Sequence, residues 1–287
     1  MFSGPRALSD VRGVRIPPGT ITLLRDLVHA HTGLFYDDLR LDSLADRLVP
    51  LAQARGFDSL LDYYYLLKYD AQAAVEWNRA IDALSVRETY FWRETDQLHA
   101  LTSEILPDLQ RRGRHPIRIW SLPCSTGEEP LSLAMALTEA GWFVRAAIEI
   151  HAADASEAAL SRAREGRYGN RAFRQLPPDL RARYFTEGGN EWIIAREIHR
   201  RVVSWSRINV VDLSQLEPLR GADVIFCRNL FIYFQPSTVR TVTDAFADLL
   251  SEPGYLCVGT AESLLRLTTR FELQDVKGAY VYAKAAV

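Results

Sequence analysis

The spacing of hydrophobic residues changes near Pro107, and this change limits the folds open to the chain. From residue 20 to 85, apolar side chains such as Ile21 and Leu24 recur at three- and four-residue intervals, which predicts amphipathic helices. Beyond Pro107, short apolar runs alternate with helical segments, as in βαβ units. We therefore predict a small all-helical domain over 20–85, followed by an α/β domain over 86–287.

Two further segments stand apart from this pattern. Residues 1–19 are rich in glycine and proline, which predicts a flexible tail. Residues near 183–206 alternate around a Gly-Gly-Asn turn at 188–190, which predicts a small antiparallel β-subdomain inserted in the α/β domain. The apolar runs are too short to span a membrane and the first residues lack the apolar core of a signal peptide, so we expect a cytoplasmic protein without membrane insertion.

Charge and cysteine content exclude several classes of protein. The 34 basic and 36 acidic residues give a net charge of -2, which provides no general attraction to nucleic acid or anionic membranes. Three cysteines without CxxC spacing indicate neither a disulfide framework nor a structural zinc site. Charge is unevenly distributed in the segment 162–207, which contains eleven arginines and five acids. This excess of positive charge could form a docking surface.

The loop after the first predicted strand of the α/β domain has an unusual composition. In open α/β sheets, ligands bind beside this loop, and dinucleotide enzymes have G-x-G-x-x-G there. Here the loop contains one glycine, Gly127, followed by Glu128 and Glu129, which repel a phosphate at a helix N-terminus. The two acids fit either a cationic, phosphate-free ligand such as S-adenosylmethionine (SAM) or simply a favourable first helical turn.

A second acid supports the SAM interpretation. Asp154 ends the second predicted strand, 27 residues after Gly127, where a carboxylate can accept hydrogen bonds from both ribose hydroxyls. An acid at this position can also cap the following helix, so the position of Asp154 alone does not distinguish ribose binding from helix capping. Together with the glycine-poor acidic loop, Asp154 favours SAM over NAD and makes an NAD-dependent oxidoreductase the weaker alternative.

Several segments together resemble the CheR-type chemotaxis receptor methyltransferases over nearly the whole chain. They are TYFWR at 89–93, WSLPCSTGEEP at 120–130, Asp154 with GRY at 166–168, DVIFCRNLFIYF at 223–234, and GYL at 254–256 with Glu262. The set in this order is highly specific. The resemblance implies a helical N-terminal domain followed by a SAM-dependent methyltransferase domain with a Rossmann-like α/β fold, and it implies no metal.

The resemblance also implies roles for individual residues. Arg93 and Tyr233 would be the catalytic residues, with Arg93 also contacting the cofactor. The other cofactor contacts would be Thr89, Glu129 at the methionine ammonium, Asp154 at the ribose, Asn209 with Val210 at the adenine, and Arg228 with Asn229 at the methionine end. The chain departs from the family pattern at Arg87, where asparagine is frequent, and at Ser156, where a second acid is frequent.

The implied activity is O-methylation of glutamate side chains on chemoreceptors, which leaves S-adenosyl-L-homocysteine as the product. A glutamate with a pKa of about 4.3 is already a carboxylate at neutral pH, so no general base is required. Two alternatives remain open. One is a methyltransferase for nucleic acid or a small molecule, which the arginine-rich segment would favour, and the other is a non-catalytic SAM-binding scaffold.

The expected partner is the cytoplasmic helical region of a chemoreceptor, bound by a monomer that does not bind nucleic acid. Some members of the family also bind a peptide at the receptor C-terminus through the β-subdomain. The short turn at 188–190 predicts that this protein does not depend on such a tail peptide. Arg40 and Arg47, seven residues apart on one predicted helix face, are candidates for docking to the receptor helices.

Overall fold

The structure is a computed structural model that describes residues 10–11 and 13–285. The chain divides into two compact units. The first comprises the chain up to Val86 together with Tyr233–Gln235, and the second comprises Arg87–Ile232 and the chain from Pro236 onward. Among the described residues, no helix combines the length and the apolar character needed to cross a membrane.

The described part of the first unit contains a short antiparallel ladder and four α-helices. These elements are β1 (Asp10–Val11), β2 (Val14–Arg15), α1 (Thr20–Thr32), α2 (Leu41–Ala54), α3 (Leu60–Tyr69) and α4 (Ala73–Leu84). Gly33 ends α1 with φ 76° and donates its N–H to the carbonyl of His29, a left-handed glycine stop that is common at helix C-termini. The predicted all-helical domain is confirmed.

The described part of the predicted tail is more ordered than expected, so the prediction of a flexible tail is wrong there. Residues 1–9 and 12 lie outside the described residues. Gly13, with φ 80°, makes the turn between β1 and β2, and Val14 and Ile16 are 1% and 4% exposed in the core of the helical unit. The glycine and proline content therefore reflects a tight turn, and burial of two apolar side chains fixes the segment.

Arg47 also has a different role from the predicted one. Its Nη1 donates hydrogen bonds to the carbonyls of Ala83 and Leu84, at 2.9 and 3.0 Å. These carbonyls lie at the end of α4, where helical partners are missing, so Arg47 stabilises this helix terminus. Of the two arginines predicted to dock to the receptor, Arg40 is exposed and Arg47 is half-buried.

The second unit alternates strands and helices. Its helices are α5 (Thr95–Ala100), α6 (Leu106–Arg111), α7 (Glu128–Glu139), α8 (Trp142–Arg145), α9 (Glu157–Glu165), α10 (Pro178–Tyr184), α11 (Arg196–His199) and α12 (Pro236–Leu249). Its strands are β3 (Ile117–Ser121), β4 (Ile148–Asp154), β5 (Arg167–Tyr168), β6 (Phe185–Glu187), β7 (Trp192–Ile194), β8 (Val202–Arg207), β9 (Ala222–Phe226), β10 (Leu250–Cys257), β11 (Phe271–Val276) and β12 (Ala279–Lys284).

Seven strands form the central sheet in the order β11-β12-β10-β9-β3-β4-β8. The strands from β10 to β8 run parallel, and β12 pairs antiparallel with both β10 and β11. The chain passes from β3 outward through β4 to β8, and then continues on the other side of β3 with β9 and β10. Strand order therefore reverses at β3, where open α/β sheets bind ligands, and the Rossmann-like fold is confirmed.

The inserted β-subdomain has different bounds from those predicted. Its three antiparallel strands are β5, β7 and β6 in that order, so it spans 167–194. The segment Val202–Arg207, assigned to the subdomain from sequence, is instead β8 at the edge of the central sheet, where it pairs in parallel with β4. The residues of this segment are mostly partly exposed, which fits an edge strand in either sheet. Only the strand with which the segment pairs shows that it belongs to the central sheet.

Candidate active site

The loop between β3 and α7 is held in place by a glycine that no other residue can replace without strain. Gly127 has φ 98°, and a Cβ built on it would lie 3.0 Å from both Ala163 Cβ and the Tyr168 hydroxyl. Both the left-handed backbone and this close packing require glycine. The single glycine of the loop therefore brings the start of α7 against α9 and the β-subdomain.

Asp154 ties this loop to the end of β4. One carboxylate oxygen accepts the N–H of Ser125 and the other accepts the N–H of Ser156, both at 2.8 Å, and the residue is 7% exposed. The side chain of Ser156, in turn, accepts the N–H of Ala159 and caps α9. The position at which the family often has a second acid is therefore a helix cap here.

A buried ion cluster lies where the loops after β3 and β9 meet. Arg228, whose side chain is 3% exposed, donates from Nε to Glu94 Oε2 at 3.2 Å, and its Nη1 lies 3.3 Å from Glu129 Oε2. Its Nη2 donates to the carbonyl of Arg93 at 2.8 Å. Two carboxylates thus share one guanidinium, and the triad of Glu94, Glu129 and Arg228 carries a net charge of -1 when both acids are ionised.

The environment of Glu129 favours a cationic ligand. Ser121 donates its hydroxyl to Glu129 Oε1 at 2.6 Å, so both oxygens of this carboxylate are oriented by protein groups. Burial raises the pKa of Glu129, against the opposing effects of Arg228 and the Ser121 hydrogen bond. A buried carboxylate that is only partly compensated is costly, and an added positive charge reduces this cost.

Arg93 sits in a backbone segment of unusual conformation. Its neighbours Trp92 and Glu94 have φ 67° and 53°, in the left-handed region that non-glycine residues rarely adopt. The Trp92 N–H is held by Ser132 Oγ at 3.0 Å, and Glu94 is held by Arg228. The Arg93 side chain is 26% exposed, and its Nε lies 4.0 Å from Glu94 Oε1, so Arg93 is next to the triad and accessible to a substrate.

The remaining predicted residues occupy four places. Asn229 follows Arg228 with φ 59°, and Asn209 and Val210 follow β8, where the N–H of Asn209 donates to Gln215 Oε1 at 2.9 Å. Thr89 is half-buried on the Arg93 segment. Tyr233 is half-buried and is grouped with the helical unit, where its carbonyl accepts the N–H of Phe35 at 2.8 Å.

The structure adds site residues that the sequence did not identify. Glu94 and Ser121 orient Arg228 and Glu129, and Glu262 accepts hydrogen bonds from the loop that contains Asn229. Glu262 lies in one of the resembling segments, but its spacing assigns it no role. Nothing in the local pattern distinguishes Glu94 from any acid at a helix start.

Glu128 is buried in the first turn of α7, and its ionisation predicts a pH-dependent stability. The residue is 5% exposed, and burial raises its pKa to about 7, although Thr126 donates a hydrogen bond to Oε2 at 2.7 Å. The folded state therefore retains a proton that the unfolded chain releases near pH 4.3, and stability is lost as the pH rises through about 7. Glu128→Gln keeps an acceptor for Thr126 and removes this titration.

We expect urea unfolding to show that Glu128→Gln gains stability relative to wild type, with a gain at pH 8 that exceeds the gain at pH 5 by roughly 2 kcal/mol. The control is Glu272→Gln, which replaces an exposed residue on β11. Its free energy of unfolding should differ from that of wild type by the same amount at both pH values. A gain for Glu128→Gln that is independent of pH would show that this carboxyl does not titrate in the expected range.

Comparison with known proteins agrees with this architecture. The chain matches the family described as CheR methyltransferase, all-alpha domain, over residues 20–85. It matches CheR methyltransferase, SAM binding domain, over residues 87–279. These ranges correspond to the two structural units.

Three relatives match most of this chain. The chain is 33% identical over 264 residues to chemotaxis protein methyltransferase 2 of Vibrio cholerae, covering 91% of each protein. It is 31% identical over 280 residues to the chemotaxis protein methyltransferase of Escherichia coli, covering 96% of this chain and 92% of that protein. It is also 38% identical over 232 residues to the probable biofilm formation methyltransferase WspC of Pseudomonas putida, covering 80% of this chain and 54% of that protein. The chain belongs to the CheR family of SAM-dependent methyltransferases.

Proposed function

We propose that this enzyme transfers the methyl group of SAM to glutamate side chains on the cytoplasmic helices of a chemoreceptor, acting in the cytoplasm as a monomer. The observation that carries the proposal is the buried triad of Glu94, Glu129 and Arg228, in which two carboxylates share one guanidinium, beside Arg93 at the switch point of the sheet. Such a site suits a cationic methyl donor and an anionic acceptor. Relatives described as chemotaxis protein methyltransferases support a chemoreceptor as the substrate.

The donor set fits SAM, which when bound supplies a methyl group on a positively charged sulfur. Glu129 would receive the ammonium group, and Arg228 would act at this methionine end by holding Glu129, because its guanidinium nitrogens already engage protein oxygens. The other proposed contacts are Asp154 with the ribose, Asn209 and Val210 with the adenine, Asn229 with the methionine end, and Thr89 on the Arg93 segment.

The proposed chemistry requires positioning rather than proton transfer. A glutamate acceptor is ionised at neutral pH, so the enzyme needs only to hold one carboxylate oxygen in line with the bond that breaks. The side chain of Arg93 is partly exposed, and its guanidinium would orient this carboxylate. Tyr233 would donate a hydrogen bond to the same carboxylate.

Internal ion pairs argue against nucleic acid as the substrate. Within the arginine-rich segment, Arg162, Arg164, Arg174 and Arg183 each pair with an acid of the same unit. Four of the eleven arginines of this segment are therefore neutralised within the protein, and the net charge of the whole chain, -2, gives no general attraction to a phosphate backbone. We infer that nucleic acid is not a partner, and DNA or RNA binding that weakens steeply with salt would contradict this inference.

Two substitutions test the cofactor contacts. Glu129→Gln removes the charge proposed to meet the ammonium, and Asp154→Asn removes one of the two carboxylate oxygens that are proposed to meet the ribose. Each lost charge-assisted hydrogen bond costs about 1.5 to 3 kcal/mol, so we expect the SAM dissociation constant to rise roughly ten- to a hundredfold in isothermal titration calorimetry. Glu272→Gln should bind as wild type does. Unchanged affinity in both site variants would remove these two contacts from the proposal.

The activity itself is tested with radiolabelled SAM and the cytoplasmic fragment of a chemoreceptor, followed by measurement of base-labile label on the receptor. We expect the wild type to transfer label and Tyr233→Phe to bind SAM nearly normally with a clearly reduced kcat, because the hydroxyl is proposed to act on the acceptor. Full activity of Tyr233→Phe would show that the hydroxyl has no role. Absence of base-labile label in the wild type would contradict glutamate methylation.

We also propose that receptor methylation does not depend on a C-terminal tail peptide. The turn between β6 and β7 is tight, since the N–H of Gly188 donates to the carbonyl of Glu191 at 2.8 Å and Gly189 has φ 82°. The described turn at 188–191 therefore supplies no extended loop beside the outer edge of β6 that could clamp a peptide. We expect deletion of the last residues of the receptor to leave its methylation rate nearly unchanged. A tenfold decrease, or micromolar binding of the isolated tail, would contradict this.

A further inference from the structure

Two loops of the second unit converge on one carboxylate that the mechanism above does not use. We propose that Glu262 is a positioning residue for methyl transfer, because it fixes the backbone 229–232 that leads directly into Tyr233. The inference rests on the proposed function, since Tyr233 is taken to act on the acceptor. It assigns Glu262 no contact with SAM or with the substrate.

The carboxylate of Glu262 accepts four backbone N–H groups. Oε2 accepts the N–H of Asn229 at 2.7 Å and of Gly259 at 2.6 Å. Oε1 accepts the N–H of Phe231 at 2.6 Å and of Ile232 at 3.3 Å. The loops after β9 and β10 are thus joined through a single side chain, and its lone pairs are occupied by the backbone.

No neutral side chain reproduces this arrangement. A glutamine has one acceptor oxygen, so its amide NH₂ would face either the N–H pair of Asn229 and Gly259 or the pair of Phe231 and Ile232. Two donors would then lack an acceptor, and one of the loops would have to move away. Glu262→Gln therefore separates the two loops while it preserves the size of the side chain.

Gly259 provides an independent observation of the same contact. A Cβ at this position would lie 2.5 Å from Asn229 Nδ2 and 2.9 Å from Glu262 Oε2. Only glycine lets the loop after β10 approach this closely. Gly259→Ala therefore presses on the same junction from the other side, while the Glu262 side chain keeps its carboxylate.

The segment that Glu262 holds connects the parts of the proposed site. Arg228 precedes Asn229 and holds Glu129, and Tyr233 follows Ile232 directly. Asn229 has φ 59°, a conformation that is costly for a non-glycine residue unless its surroundings impose it. The hydrogen bond from its N–H to Glu262 supplies that constraint, so loss of the carboxylate should release the segment.

The experiment compares full-length wild type, Glu262→Gln, Gly259→Ala and the control Glu272→Gln. For each protein we would measure kcat with saturating SAM and receptor fragment, the SAM dissociation constant, the melting temperature and amide hydrogen exchange. We expect both site variants to lose at least tenfold in kcat, with a smaller change in SAM affinity. Faster exchange should be confined to residues 229–232 and 259, and the control should match wild type in all four measurements.

A kcat within twofold of wild type in Glu262→Gln would overturn the proposal, and so would faster exchange across the whole central sheet, which indicates a general structural role. If Glu262→Gln does not fold, the same two criteria, kcat and the extent of faster exchange, are applied to Gly259→Ala. If the wild type binds SAM but leaves no base-labile label on the receptor, glutamate methylation is the part that fails. Exchange at 229–232 then still reports whether Glu262 holds this segment.

Discussion

The buried guanidinium of Arg228 is the interaction on which the site depends. It lies between Glu94 and Glu129 and also reaches the carbonyl of Arg93, so it joins three loops that are far apart in the chain. Burying these charges is expensive, and removal of one partner from such a cluster typically costs 3–5 kcal/mol because the other charge remains unpaired. This dependence keeps the loops after β3 and β9 in a single arrangement.

Strained backbone surrounds this cluster. Among the described non-glycine residues with left-handed φ, Trp92, Glu94, Ser125 and Asn229 all lie in the loops of the candidate site. Each conformation is unfavourable by itself, and in each case a side chain accepts a hydrogen bond from the segment or an ion pair holds it. Carboxylates therefore have two uses in this site: some hold the backbone, as Asp154 and Glu262 do, while Glu129 contributes negative charge.

The sequence predicted the order of helices and strands well because their apolar faces repeat with local periods. It also located the loop between β3 and α7 of the candidate site, since Gly127 and the two following acids mark the start of α7 after a buried strand. It failed where a residue's partner is distant. Val14 and Ile16 looked like part of a tail until the helical core that covers them was known. The role of Arg47 likewise depends on the end of α4, 36 residues away.

The sequence by itself therefore determined the two-part organisation, the strand–loop–helix unit at the switch point and the residue types that suit a cationic ligand. Only the tertiary structure decided that Glu94 pairs with Arg228 across 134 residues of chain and that Glu262 joins two loops. It also placed β8 in the central sheet rather than in the inserted subdomain. The physical reason is that periodicity encodes which face of an element is buried, whereas ion pairs and strand partners depend on which loops and edges the packed elements bring together.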